Sequence, residues 1–244
     1  MNRDAPEPAR EELAVVLAGA GEGVRMGGRP KLLLEIDGRT LLGRVVSTFV
    51  AHPAVGEIVA AVPAGSGELA SRARAILETV ARERGVRVSV IPGGATRQRS
   101  VAAALRALTR DLPFIAVHDV ARALVQRDLV TRVLDAARRS GAAIPVLPIR
   151  DTIKEVEGDR VTRTVPREGL AGAQTPQIFT RDIMLRAIAA AEAAGFEATD
   201  DAALVEETGT GVVTAVPGDP TNLKLTEPSD VTLFEALVRS LDHA

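Results

Sequence analysis

The feature that most constrains this chain is a repeated change of hydrophobic rhythm: short, almost wholly apolar runs alternate with longer stretches that are apolar on one face only. LAVVLA (Leu13 to Ala18) opens the series. A run with no polar residue fits a strand covered on both faces rather than a half-exposed one. Thr40 to Ala51 then places its apolar residues at helical spacing, EIVAAV (Glu57 to Val62) returns to strand, and Gly67 to Arg84 is a charged amphipathic helix. VRVSVI (Val86 to Ile91) reads as a strand, Arg97 to Arg110 as a helix, PFIAVH (Pro113 to His118) as a strand and Asp128 to Arg139 as a helix. Such alternation predicts an α/β fold with a mostly parallel sheet flanked by helices on both faces.

The rhythm breaks after the strand-like run Ala142 to Pro148. DTIKEV, the turn Glu157-Gly158-Asp159 and RVTRTV read as a β-hairpin. An isolated hairpin cannot bury its own apolar face. We therefore expect an arm, roughly residues 149–172, that packs on a second subunit and makes a homodimer. A helix at Arg181 to Ala194, a strand at Gly211 to Val216, a short strand at Leu223 to Leu225 and a final helix from Pro228 to Leu241 follow. At 244 residues the whole fits one domain from residue 13 onward. Residues 1–12, MNRDAPEPAREE, have little to bury and are expected to be a disordered tail.

Composition removes several function classes. There is no cysteine, which excludes disulfide frameworks, thiolate zinc sites and a thiol nucleophile. A formal charge of −2 and 2% aromatic residues supply neither the basic field nor the stacking platforms of sequence-tolerant nucleic-acid binding. No apolar stretch approaches the roughly 18 residues of a membrane span, and the polar N-terminus is unlike a signal peptide. A cytoplasmic location is expected, with neither nucleic acid nor membrane as partner.

The first strand runs into Gly19-Ala20-Gly21-Glu22-Gly23-Val24-Arg25-Met26 and then Pro30-Lys31. Residues without bulky side chains let backbone N–H groups approach phosphate oxygens. A dinucleotide fingerprint would need glycine at 24, which is Val24, and no Gly-Lys-Ser/Thr exists for a P-loop. Glycines alone would make a weak case. Arg25 and Lys31, flanking the turn, suit a triphosphate whose transferring phosphorus gathers negative charge.

With those residues in register, the segment resembles the signature of sugar and polyol nucleotidyltransferases with a Rossmann-like fold. Further segments are similar to the 2-C-methyl-D-erythritol 4-phosphate cytidylyltransferase family: Gly93 to Val101 (GGATRQRSV), His118 to Arg122 (HDVAR), Asp151 to Lys154 (DTIK), Gln174 to Gln177 (QTPQ), Thr199 to Ala202 (TDDA) and Asn222 to Thr226 (NLKLT). The resemblance implies transfer of CMP from CTP to a polyol phosphate, either 2-C-methyl-D-erythritol 4-phosphate or another such as ribitol 5-phosphate. It implies catalytic roles for Arg25, Lys31 and Lys224. Nucleotide contacts would fall to Ala18, Gly19, Ala20, Gly21, Glu22, Gly23, Gly94, Ala95, Arg97 and Ser100. Arg122, Thr152, Thr175 and Thr199 would line the polyol phosphate site, with Arg167 of the arm reaching a neighbour's substrate. Asp119, at a strand end, is the candidate Mg²⁺ contact.

A phosphate monoester is largely dianionic at neutral pH and attacks without a base. His118, ending an apolar strand, is accordingly read as a packed, hydrogen-bonded residue rather than a proton acceptor. Asp200 and Asp201 admit two readings, helix capping or ligand contact. The segments depart from the common family pattern at two positions near the glycine turn and Asp119: Gly19 stands where alanine is usual, and Val120 replaces a smaller alanine.

Overall fold

The computed structural model describes residues 11–21 and 31–242. The expected tail lies outside them except for its last two residues, which are tied down. The Glu12 N–H donates to the Ala54 carbonyl at 2.8 Å, and Glu11 and Glu12 pair with Arg110 and Arg138.

β1 (Leu13–Ala18) forms where the first apolar run predicts it. After a single 3-10 turn at Lys31–Leu33, a minimal hairpin of β2 (Glu35–Ile36) and β3 (Arg39–Thr40) leads into α1 (Leu41–Ala51), whose first turn is capped by the Thr40 hydroxyl accepting from the Gly43 N–H. β4 (Val55–Val62), α2 (Gly67–Ala81), β5 (Arg87–Pro92) and α3 (Arg97–Ala107) complete the first half. α3 stops short of the expected Arg110 for a tertiary reason. The buried Glu57 carboxylate accepts from the backbone N–H groups of Thr109 and Arg110, at 3.0 and 2.9 Å, taking donors a longer helix would need.

The second half runs β6 (Phe114–Asp119), α4 (Arg127–Ser140), β7 (Ala142–Pro148), β8 (Ile153–Glu157) and β9 (Arg160–Val165). β10 (Ala171–Ala173), β11 (Gln177–Thr180), α5 (Arg181–Ala194), α6 (Asp201–Glu207), β12 (Thr214–Pro217) and α7 (Asp230–Asp242) follow. The expected strand at Leu223 to Leu225 does not form. Its polar groups are satisfied one by one: the Leu225 N–H by the Ala121 carbonyl, and the Leu225 and Thr226 carbonyls by the Lys31 ammonium.

The main sheet has eight strands. β5, β4, β1 and β6 lie side by side and parallel. β11 then enters antiparallel between β6 and β7. β10 pairs antiparallel with the far end of β7, on the edge that β11 occupies, while β12 takes the other edge in parallel. β10 and β11 therefore act as one interrupted strand, broken at Gln174 to Pro176. The expected mostly parallel sheet holds, with an antiparallel insertion.

Period-two alternation sends the side chains of β1 into two cores. Leu13, Val15 and Leu17 pack with α1, α2, α4 and α7, whereas Ala14 and Val16 pack with α3, α5 and α6. A strand buried on both faces needs apolar residues at every position, which is why LAVVLA carries no polar one. The β8–β9 hairpin stands apart from this core, with both Val156 and Val161 more than half exposed.

Candidate active site

The strand arrangement places four chain turns beside one another. Residues following β1, β4, β5 and β6 all emerge at the C-terminal edge of the parallel strands, where open α/β sheets bind their ligands. They surround a cavity of about 770 Å³, which Lys31, Leu32 and Lys224 also line. Ala18, Gly19, Ala20 and Gly21 come from the end of β1, and Gly94, Ala95, Arg97 and Ser100 from the β5 turn and α3. Asp119 comes from the end of β6. Thus the nucleotide candidates within the described residues converge, together with two of the proposed catalytic cations. Glu22, Gly23 and Arg25 lie outside the described residues.

Close packing explains the glycines at two positions. A Cβ on Gly93 would stand 2.3 Å from Cβ of Ala20 and 2.9 Å from Oγ of Ser100, so the turns after β1 and β5 touch only because Gly93 has no side chain. A Cβ on Gly19 would meet the Ala61 carbonyl oxygen at 3.0 Å and Cγ2 of Val120 at 3.3 Å. The two departures noted in the sequence are thus neighbours: Val120 extends into the space that an alanine at 19 would need.

Charge in the cavity centres on Asp119, whose side chain is 10% exposed. Its Oδ1 accepts from Nε of Arg97 at 3.1 Å and its Oδ2 from Nζ of Lys224 at 2.7 Å. Burial alone would raise the carboxyl, but Arg97 and Lys224 overcome it and hold Asp119 far below the usual carboxylate range. Arg97 reaches onward through Nη2 to Oδ2 of Asp201 at 2.7 Å. Burial opposes its charge, yet Asp201 and Asp119 outweigh that and strengthen its hold on the proton. The Lys31 ammonium donates to the Leu225 and Thr226 carbonyls at 3.1 and 3.0 Å, binding it to the segment that carries Lys224.

His118 is fully buried and built into the wall behind this cluster. Nε2 of His118 faces the Arg122 carbonyl, which can only accept, so the neutral ring leaves Nδ1 to accept from the Thr175 hydroxyl 3.0 Å away, whose oxygen also accepts from the Asp119 N–H at 3.1 Å. Nε2 then carries the ring proton and donates to the Arg122 carbonyl at 3.2 Å. Burial above all lowers the imidazole to about 4. A neutral ring with both nitrogens engaged has no role as a base here.

The remaining polyol-site candidates occupy different places. Thr175 is buried and its hydroxyl is spent on His118. Arg122 donates to the carbonyls of Asn222 at 2.9 Å and Ala173 at 3.2 Å, bracing the segment that leads to Lys224. Thr152, Thr199 and Arg167 are exposed, Arg167 donating to the Arg150 carbonyl, and none of the five lines the cavity. Asp200 caps α6, accepting from the Ala203 N–H at 2.8 Å. Sequence reasoning missed Pro63 and Ala64, which line the cavity. Their signal was positional: they follow a strand parallel to the glycine-bearing one.

A divalent cation can be tested against this donor set. Among the described residues no group of three or more His, Cys, Asp or Glu could hold a metal. Asp119 is a single carboxylate with one cationic partner on each oxygen, and it keeps further lone pairs. Mg²⁺ retains several waters and is commonly held by one or two carboxylates plus substrate phosphates. The residues fit a cation delivered with a triphosphate, not one held by protein alone.

A family model described as 2-C-methyl-D-erythritol 4-phosphate cytidylyltransferase matches residues 13–240. The chain is 42% identical over 228 residues to the 2-C-methyl-D-erythritol 4-phosphate cytidylyltransferase of Thermus thermophilus, spanning 93% of this chain and 98% of that one. It is 41% identical over 236 residues to the protein of the same name from Acidobacterium capsulatum, spanning 92% and 96%. The crystal structure of the Thermus thermophilus protein matches with a TM-score of 0.77, covering 93% of this chain and 99% of that one.

Proposed function

Because the chain belongs to the 2-C-methyl-D-erythritol 4-phosphate cytidylyltransferase family, we infer that it transfers CMP from CTP to 2-C-methyl-D-erythritol 4-phosphate, giving 4-diphosphocytidyl-2-C-methyl-D-erythritol and pyrophosphate in isoprenoid biosynthesis by the non-mevalonate pathway. It is a CTP-dependent nucleotidyltransferase. The observation that carries the reading is the convergence of Lys31, Lys224, Arg97 and Asp119 on one cavity at the C-terminal ends of parallel strands.

The acceptor's phosphate oxygen attacks the α-phosphorus of CTP, a P–O bond forms, and the bond to the β-phosphate oxygen breaks as pyrophosphate leaves. Negative charge builds on the α-phosphate oxygens in the five-coordinate transition state. Lys31 and Lys224 supply positive charge at fixed points on the cavity wall, and Arg25 is assigned the same task. The attacking oxygen already carries its negative charge, so positioning and charge neutralisation supply the catalysis. This agrees with a site whose nearest histidine is neutral and sealed. Gly93, Gly94 and Ser100 shape the end of the cavity assigned to cytidine.

Asp119 would hold Mg²⁺ together with the triphosphate, and the cation would supply charge neutralisation on the phosphates when bound. The β8–β9 arm is assigned to a homodimer contact, supported by its exposed cross-strand valines Val156 and Val161, with Arg167 directed to the partner's substrate. Arg122, Thr152, Thr175 and Thr199 retain their assignment to the acceptor side, the first and third by shaping its wall. A cytoplasmic location accompanies the proposal. Among the described residues no helix is long and apolar enough to cross a membrane.

A pyrophosphate-release assay with CTP and each acceptor tests the reading. Turnover with 2-C-methyl-D-erythritol 4-phosphate is expected. Release only with ribitol 5-phosphate would reassign the acceptor, and release with neither would overturn the function.

A further inference from the structure

Arg97 divides its guanidinium between two carboxylates, and that division bears on Asp201. A guanidinium facing one carboxylate favours a two-pronged pair made by two N–H groups. Here the edge formed by Nε and Nη2 is shared: Nε reaches Oδ1 of Asp119 at 3.1 Å, while Nη2 reaches Oδ2 of Asp201 at 2.7 Å. Arg97 consequently holds Asp119 by one prong, and Oδ2 of Asp119 is left to the half-exposed Lys224 side chain.

Asp201 does not line the cavity, and its side chain is 3% exposed. Its hydrogen-bonded route to the cavity runs through Arg97. A carboxylate buried to this depth is costly to keep unless it is paired. Its frame is rigid. Asp200 caps α6 and accepts from Nε2 of Gln177 at 2.8 Å, while Oε1 of Gln177 accepts from the Ala202 N–H at 3.0 Å. These bonds fix the first turn of α6 to β11, so Asp201 pulls on Arg97 from a set point.

We propose that Asp201 is a positioning residue that draws one prong of Arg97 away from Asp119, keeping part of the Asp119 carboxylate open to the divalent cation that arrives with the triphosphate. The proposal rests on the reading that Asp119 meets that cation. Without Asp201, the Arg97 fork closes on Asp119 with both prongs and competes with the metal for it.

Isothermal titration of CTP, in Mg²⁺ and in EDTA, separates these ideas. For Asp201→Asn, which is isosteric and removes a buried charge, the gain in CTP affinity conferred by Mg²⁺ is expected to fall about tenfold, the usual scale for residues that orient a metal contact. Affinity in EDTA should stay the same or tighten, because a negative charge near the triphosphate is gone. In the background of Arg97→Lys, which cannot fork, Asp201→Asn should add no further loss. An undiminished Mg²⁺ gain in Asp201→Asn overturns the proposal, as does a loss of equal size with and without Mg²⁺, the mark of a merely structural role. Asp201→Glu, which keeps the charge but displaces it, gives the same comparison should the asparagine variant not fold. Absence of any Mg²⁺ gain in the unaltered protein would instead overturn the Asp119 reading and leave the CTP chemistry standing.

Discussion

Replacing His118 by glutamine should change how the protein's stability responds to acid. His118 is neutral in the fold because burial holds its imidazole near 4, against an ordinary value of 6.5. Above 6.5 neither the folded nor the unfolded chain carries a proton there, and the group contributes no pH dependence. Between 6.5 and about 4 the unfolded chain binds a proton that the folded one refuses, so stability falls as pH falls. At about 1.4 kcal/mol per pH unit, this amounts to about 2 kcal/mol by pH 5 and about 3 kcal/mol once pH drops below the folded value.

His118→Gln offers a donor to the Arg122 carbonyl but cannot titrate. It loses the edge contact with the Phe49 ring, whose centroid lies 5.2 Å away. A cost of about 1–3 kcal/mol at pH 7.5 follows from the lost packing and altered hydrogen bonds. Urea unfolding of both proteins at pH 7.5 and pH 5 should show the variant's deficit shrinking by about 2 kcal/mol at the lower pH. The other titratable groups are common to both proteins and cancel in the difference. A deficit that stays constant across the two pH values would refute the assignment of a buried neutral ring with Nδ1 accepting and Nε2 donating.

Further expectations concern charge, space and assembly. Lys224→Ala removes a half-exposed cation from the cavity wall, so the fold should survive, as read by circular dichroism, while kcat drops about 10²- to 10³-fold. Gly19→Ala places a methyl against the Ala61 carbonyl and Val120, and should lower stability by about 1–3 kcal/mol. Adding Val120→Ala should recover part of that loss, and strict additivity in thermal unfolding would show that the two sites do not share space. Val161→Asp, on the exposed arm, should shift the proposed dimer toward monomer in light scattering, whereas an unchanged mass would remove the arm from the interface.

Much of the architecture could be read from local pattern. The apolar run at Leu13 to Ala18, the strand at Ala142 to Pro148 and the helix at Arg181 to Ala194 form within their expected bounds, because each carries its period in its own residues. What escaped reading depends on partners far along the chain. α3 ends early because Glu57, some fifty residues away, claims the N–H groups of Thr109 and Arg110. β11 carries only four residues directly after Pro176, too short a run to show a period, and proline argues against a central strand. Leu223 to Leu225 alternates like a strand, yet no neighbouring strand offers it a ladder.

The site divides in the same way. Its glycines and Asp119 were visible as residue types at predicted strand ends, Lys31 as a cation flanking the glycine turn, and Lys224 by its motif. That Lys224 rests on Asp119, 105 positions earlier, and that Arg97 spans Asp119 and Asp201, could not be seen, since no local period records a long-range ion pair. Arg122 looks like a ligand contact by motif, but it also braces the backbone of Asn222, a task that the sequence gives no sign of.

The attachment of Lys31 to the carbonyls of Leu225 and Thr226 sets an order on biosynthesis. As the polypeptide leaves the ribosome, its glycine turn, central strands and Asp119 emerge first, whereas the Leu225 carbonyl that latches onto Lys31, with Lys224 beside it, follows Lys31 by 194 positions. A growing chain therefore holds an unfinished candidate site until Leu225 and Thr226 have emerged to meet Lys31.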